Sequence, residues 1–315
     1  MHLGALDQEG AAAVKRQGHA IATLILVAIV ALPGCASNQV DKRSALIEEE
    51  FRDADFDVMF ATEFPVANKA EALQRAEAAI QTGELDRALF FYVKALTFTP
   101  DDASLLLRIG QMHEFRGDAE MAVRAYTVAL KYDPELIPAL ENRGLLLLAN
   151  DELIRAEEDL NRVVAIDATA WRAYNGLGLI ADSRGQHKTA IPLYSAALQV
   201  EPSAAAVLNN RGYSRMLAGM TLAAEADLRQ AAELGYDKAS LNLGTLLADS
   251  GRYDEAIEAF SNELSKPDAL SKTAASAIEN RDFAVARKML QRAIEISPVY
   301  LPSAEQSLAR IETLD

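Results

Sequence analysis

Apolar residues recur three and four positions apart along most of the chain, from about residue 69 to residue 298. This spacing places side chains on one face of an α-helix. In residues 103–132 the pattern stops at Gly117 and then resumes, which predicts two amphipathic helices joined by a turn. The apolar positions of this unit are Leu105, Leu106, Ile109 and Met112, then Met121, Ala122, Ala125, Tyr126, Ala129 and Leu130.

The two-helix unit occurs about seven times, and small residues mark its register. Four glycines follow one another at intervals of 34 residues, and a fifth follows after 32: Gly110, Gly144, Gly178, Gly212 and Gly244. Ala76 and Ala274 take the same place in the first and last units. We number this place position 8. An alanine at position 20 and a large apolar residue at position 24 follow in every unit.

The residue types at fixed repeat positions predict how each helix pair is built. The small residues at positions 8 and 20 let the two helices approach closely. A second set of glycines, at position 15, predicts left-handed backbone at the end of the first helix: Gly83, Gly117, Gly185, Gly219 and Gly251. Prolines end the second helix of four units: Pro100, Pro134, Pro202 and Pro298. The shorter spacing from Gly212 to Gly244 to Ala274 predicts a local change in superhelix geometry.

A 34-residue period with Leu-Gly in the first half, Ala-x3-Phe in the second half and a terminal proline resembles the tetratricopeptide repeat (TPR). The resemblance covers residues 69–298 and implies an all-α, right-handed solenoid of about seven helix-turn-helix repeats. Residues 299–315 then read as a capping helix, with Leu301, Leu308 and Ile311 facing inward.

The first 34 residues read as a secretory signal. A 12-residue apolar run, residues 20–31, follows Lys15 and Arg16, and Leu-Pro-Gly-Cys at 32–35 resembles a bacterial lipobox. The resemblance implies cleavage before Cys35 and a covalent lipid there. Alanine after the cysteine implies an outer-membrane protein that faces the periplasm. A short transmembrane anchor is the alternative. Whether translation starts at Met1 or at Val14 stays open.

Residues 35–68 combine the lipidated cysteine with an acidic tether. Acidic residues cluster between positions 48 and 57, as is typical of a solvated spacer. Five apolar residues interrupt it, and we expect them to pack on the first repeat or to serve as a docking segment: Phe51, Phe56, Met59, Phe60 and Phe64.

Composition argues against several classes of function. The net charge is −15, from 31 basic and 46 acidic residues, so binding to nucleic acid is not expected. After removal of the signal, His113 and His187 are the remaining histidines, and neither lies in a metal-spaced cluster. No catalytic motif is present. We therefore expect no enzyme activity, no small-molecule substrate, no metal and no cofactor apart from the lipid on Cys35.

The TPR resemblance implies that positions 2, 5, 6, 9, 12 and 13 line a concave groove that binds a protein or an extended peptide. Asparagines at positions 5 and 6 can donate to and accept from a peptide backbone. The predicted groove residues are Asn142, Asn175, Asn209, Asn210 and Asn242, with Tyr213 and Met216 beside them. The alternative is that these asparagines hydrogen-bond to neighbouring repeats.

Three arginines occupy positions that face the packed seam or the groove: Arg143, Arg211 and Arg215. Their heads can pair with internal acids, or they can bind a carboxylate of a partner. The lysines of the carboxylate clamp found in chaperone-binding TPR proteins are not matched, which argues against an acidic C-terminal tail as the ligand.

The motifs of residues 173–178, 207–214, 224–232 and 241–244 resemble, in that order, the TPR lipoproteins of tight-adherence (Flp) pilus assembly, the TadD family. This resemblance implies a periplasmic scaffold that helps a pilus secretin assemble. A general periplasmic adaptor that organises cell-wall hydrolases or proteases is the alternative, and an enzyme with a TPR body is a weaker one. Arg211, where the family has leucine, departs from its pattern.

Overall fold

The computed structural model describes residues 65–312, which contain fifteen helices and no strand. The predicted signal, Cys35 and most of the tether lie outside the described residues. The helices are α1 Lys69–Gln81, α2 Leu85–Phe98, α3 Ala103–Phe115, α4 Ala119–Tyr132, α5 Ile137–Ala149, α6 Leu153–Ile166, α7 Trp171–Ser183, α8 His187–Val200, α9 Ala205–Leu217, α10 Thr221–Glu233, α11 Asp237–Asp249, α12 Tyr253–Phe260, α13 Lys266–Glu279, α14 Phe283–Ile296 and α15 Pro302–Glu312.

The helices pair as the repeat predicts, so the all-α solenoid fold is confirmed. Each odd-numbered helix from α1 to α13 packs against the even-numbered helix that follows it, and each even-numbered helix packs against the next repeat. The first helices of successive repeats also touch from α5 to α13. The first helices therefore lie closest together and form the inner surface of the stack, with the second helices outside them.

The glycines at position 8 lie where the two helices of a pair meet. A Cβ built on Gly110 would be 2.4 Å from a ring carbon of Tyr126, and one on Gly178 would be 2.4 Å from Tyr194. These tyrosines, at position 24, are fully buried. Only glycine lets a ring lie flat against the facing helix at this distance. Position 24 of the same repeat supplies the contact at the other three glycines as well, through Leu160, Leu228 and Phe260.

The turn inside each repeat needs left-handed backbone, as the glycine spacing predicts. The position-15 glycines have φ between +72° and +78°. Two repeats lack glycine there, and Asp151 (φ +63°) and Arg281 (φ +64°) adopt the same backbone. The fold of these turns is therefore set by the packed helices and not by glycine alone.

The end of the fifth repeat and the whole sixth repeat depart from the regular pattern. Helix α10 ends at Glu233, and a further left-handed glycine, Gly235, follows two residues later at φ +81°. Helix α12 has 8 residues and ends at Phe260, whereas the other second helices have 13 or 14. These changes fall where the spacing of the position-8 residues shortens.

The last helix closes the C-terminal end of the core. Ile311 and Ala304 on α15 are buried, and Leu301 and Leu308 pack against the same apolar cluster as α13 and α14. Glu305 lies on the exposed side.

Candidate functional site

Four asparagines on the inner surface form a continuous row of hydrogen bonds, which we call the amide row. Asn242 on α11 donates to Asn209 on α9 (2.8 Å), and Asn209 donates to Asn210 (3.4 Å). Asn210 then donates to Asn175 on α7 (3.1 Å). The row thus crosses three successive repeats, and every carboxamide still has a second N–H or a lone pair for another group.

The exposure of the row decides which members a partner can reach. Asn209 is buried, with 6% of its surface exposed, whereas Asn175, Asn210 and Asn242 are half-buried. Hydrogen bonding to neighbouring repeats, the alternative raised by the sequence, therefore accounts for part of the bonding capacity of the row. The three half-buried amides keep surface on the inner side.

Asn142, the fifth predicted groove asparagine, belongs to a different cluster. Its amide donates to the hydroxyl of Tyr126 (3.3 Å), and that hydroxyl donates to Glu114 (2.8 Å). Burial, followed by the nearby Glu114 carboxylate, raises the pKa of Tyr126. The tyrosine stays protonated and links α3, α4 and α5.

A second cluster of this kind lies in the fourth repeat, and the sequence alone did not point to it. The carboxylate of Asp182, at position 12, accepts from Tyr194 (2.8 Å) and from Ser214 of the next repeat (2.6 Å). Its other oxygen lies 3.0 Å from Nδ1 of His187. Burial and the Asp182 charge raise the pKa of Tyr194. A position-24 tyrosine paired with a position-12 acid was the available signal, and it also occurs in the second repeat.

Apolar side chains flank the amide row. Tyr213 is half-buried on α9, and Leu217 at the end of that helix is 47% exposed. Met216 is half-buried and packs against the core of the later repeats, so it contributes to the interior as well as to the surface. Phe115, at position 13 of the second repeat, is 72% exposed. The inner surface therefore combines amides with apolar contacts.

The predicted arginines are held by internal carboxylates. Arg143 makes a two-pronged ion pair with Asp159 (2.7 and 2.8 Å), and its third nitrogen donates to Thr127 of the preceding repeat (3.1 Å). Asp159 is 4% exposed. The guanidinium group is therefore committed to joining α4, α5 and α6, since a buried pair is costly to separate.

Arg211 repeats this arrangement 68 residues later. It pairs with Asp227 (2.8 and 2.9 Å) and donates to Ser195 (3.2 Å). Arg215 adds a further ion pair to the same carboxylate, at 2.6 Å. The sequence left two roles open for these arginines, pairing with internal acids or binding a carboxylate of a partner. Their contacts in the structure are with internal acids.

Little else in the described residues offers chemistry. Within residues 65–312 no group of three or more His, Cys, Asp or Glu side chains could hold a metal ion. His113 is buried at a packing position, 3.6 Å from Asp118, and His187 begins α8 beside Asp182. No helix in this range has both the length and the apolar character needed to cross a membrane.

Fold and inner surface together define a helical-repeat solenoid of the kind that forms protein-interaction scaffolds. A family model described as "Tetratricopeptide repeat" matches residues 141–206 and 209–269. These two segments are therefore similar to the tetratricopeptide repeat, and the described residues form a solenoid of helix pairs.

Curated relatives match through their repeats. Human tetratricopeptide repeat protein 7A is 29% identical over 131 residues, which is 42% of this chain and 15% of the relative. A TPR repeat-containing protein of Pseudomonas aeruginosa is 30% identical over 161 residues, or 50% of this chain and 27% of that protein. The matched segments therefore span well under half of these relatives.

Solved structures share the fold at low sequence identity. A tetratricopeptide repeat protein from Parabacteroides merdae superposes with a TM-score of 0.55 at 16% identity, covering 78% of this chain and 98% of its own. Pseudomonas aeruginosa PilF superposes with a TM-score of 0.50 at 15% identity, covering 77% and 97%. At sequence identities this low, the similarity shows a shared fold alone.

Proposed function

We propose that the protein is a scaffold that binds an extended segment of a protein partner along its inner surface. The observation that carries the proposal is the amide row from Asn242 to Asn175. A row of carboxamides spaced along a groove can pair with a peptide backbone without reading its side chains. The flanking apolar residues, Tyr213 and Leu217 among them, would contact side chains of the partner.

We further propose a location and a process for this scaffold. The lipobox-like sequence before Cys35 favours an outer-membrane lipoprotein that faces the periplasm, with no cofactor beyond the covalent lipid. The resemblance to the TadD family favours a role in assembling a pilus secretin. Without that resemblance, the inner surface supports a general periplasmic adaptor equally well.

The binding surface is tested with substitutions that spare the core. Asn175→Ala combined with Tyr213→Ala removes one end of the amide row and one apolar neighbour, both from half-buried positions. We expect at least a tenfold loss of partner binding at unchanged helical content. Glu158→Ala, on the exposed side of α6, is the matched control and should bind as the wild type does. Unchanged binding by the double variant would contradict the proposed surface.

The location and the process are tested together by co-purification. The protein is captured from solubilised outer membranes, with Cys35→Ala as the control that removes the anchor. Recovery of a secretin with the wild type, and its loss with the control, supports the pilus role. Recovery of cell-wall hydrolases without a secretin supports the adaptor role instead. Membrane fractionation that is unaffected by Cys35→Ala would contradict lipid anchoring at this residue.

A further inference from the structure

One position on the outer side of the solenoid is buried only in the first repeat. Position 22, two residues after the position-20 alanine, is exposed in the six later repeats and is never aromatic there: Arg124, Glu158, Pro192, Ala226, Glu258 and Lys288. In the first repeat it is Phe90, and 8% of its surface is exposed. The packing that the repeats share leaves position 22 exposed, so it does not account for the burial of Phe90.

The surroundings of Phe90 are aromatic and basic. Its ring packs edge-on against Phe91, with ring centres 5.3 Å apart, and the Lys94 ammonium lies 5.7 Å from its centre. Arg87 and Lys94 stand three residues before and four residues after Phe90, so all three share one stripe of α2. A segment that fits this stripe should carry both aromatic and acidic side chains.

The chain supplies such a segment immediately before the described residues. In residues 51–64, Phe56, Met59, Phe60 and Phe64 are spaced three and four residues apart, which is the spacing of one helix face. The same segment carries the acidic residues Asp53 and Asp57, four positions apart. The first repeat is the only one that this segment joins directly.

The connection is long enough for the segment to reach the stripe. Fourteen residues span about 21 Å as a helix and about 46 Å when extended. Helix α2 itself has 14 residues and packs against α1, and four residues, 65–68, separate the segment from α1. The segment can therefore lie along the whole of α2.

We propose that residues 51–64 dock on the outer side of α2, with their apolar face over Phe90 and their acidic residues beside Arg87 and Lys94. The docked segment covers the first repeat on its outer side and leaves the amide row open. This assignment holds whether or not Cys35 carries a lipid.

Hydrogen exchange of the full-length protein in detergent tests the docking. Peptides from residues 51–64 should exchange at least about tenfold more slowly than a free chain, independently of protein concentration. Phe90→Arg gives position 22 the residue that the second repeat has there and should abolish this protection. Ala226→Arg makes the same change in the fifth repeat, at a position without a docked segment, and should leave the protection intact.

A variant on the other side of the contact keeps the proposal testable if Phe90→Arg disturbs the first repeat. Phe60→Asp lies outside the solenoid and should release the segment at unchanged helical content of residues 65–312. Exchange of residues 51–64 at the free-chain rate in the wild type would overturn the proposal. So would protection that both variants leave unchanged, or protection that disappears on dilution, which would indicate a second copy as the occupant.

Discussion

The contact between Gly178 and Tyr194 gives a prediction whose size follows from the geometry. An alanine at position 178 would place its Cβ 2.4 Å from Cε1 of the Tyr194 ring. Non-bonded carbons rest about 3.5–4.0 Å apart, so the two groups must separate by about 1 Å. The ring has little freedom to move, because it is fully buried and its hydroxyl is held by Asp182 at 2.8 Å.

The expected effect of Gly178→Ala is the difference between two opposing contributions. Overpacking of a dense core costs about 1–3 kcal/mol. Alanine recovers about 1 kcal/mol relative to glycine within a helix. We therefore expect a net destabilisation of up to about 2 kcal/mol on these scales. In urea unfolding, Trp171 fluorescence reports on the same repeat and far-UV circular dichroism reports on the whole solenoid.

A double-mutant cycle separates overpacking from other effects of the substitution. Tyr194→Leu should cost less in the Gly178→Ala background than in the wild type, with a coupling of about 0.5–1 kcal/mol. Gly185→Ala is the matched control, because no atom lies within 4 Å of its Cβ and its cost comes from φ +72°. Its effect should add to that of Tyr194→Leu. Additivity in the first cycle, or a Gly178→Ala variant that is more stable than the wild type, would refute a close approach at this glycine.

Three further predictions concern charge and backbone. Asp227→Ala should lower the free energy of unfolding by about 3–5 kcal/mol in urea, because it leaves two arginines without their carboxylate. Asp159→Ala should cost less, because it leaves one arginine unpaired. Equal effects of the two substitutions would contradict this reasoning. Burial raises the pKa of Glu141, so the contribution of this residue to the free energy of unfolding is present at low pH and lost as pH rises. Glu141→Gln should therefore stabilise the protein at pH 7 and have no effect below about pH 4. A series of unfolding curves at different pH values would show this. Asp151→Gly should raise stability by about 0.5 kcal/mol by relieving φ +63°, and a loss would argue against strain there.

The fold could be predicted from sequence because the informative positions constrain the backbone. A close contact between helices requires glycine at position 8, and a left-handed turn favours glycine at position 15. Both features lie within one repeat. Asp151 shows where this reasoning stops, since an L-residue adopts the same turn when the packed helices demand it. Because the pattern recurs about every 34 residues, a prediction made for one repeat applies to the whole solenoid.

The partners of polar side chains were harder to predict. The sequence indicated that Arg143 and Arg211 need carboxylates but did not identify them. A signal was present: Arg143 and Arg211 each have an aspartate sixteen residues later, at position 23, whereas Arg75, at position 7 of the first repeat, has Phe91 there. The asparagines carried no such signal, because a carboxamide can face a groove or a neighbour with equal chemistry and the choice depends on rotamers. In the structure four of the five bond to one another, and of these Asn175, Asn210 and Asn242 remain half-buried.

The amide row has a direction. Both bonds that join successive repeats donate towards the N-terminal end of the solenoid, from Asn242 on α11 to Asn209 on α9 and from Asn210 to Asn175 on α7. The row therefore begins with a carbonyl oxygen and ends with an N–H group, and hydrogen bonds aligned in this way polarise one another. A peptide backbone is directional too, so the two senses in which a strand could lie along this surface are not equivalent. A partner bound there would have one fixed end nearest the first repeat.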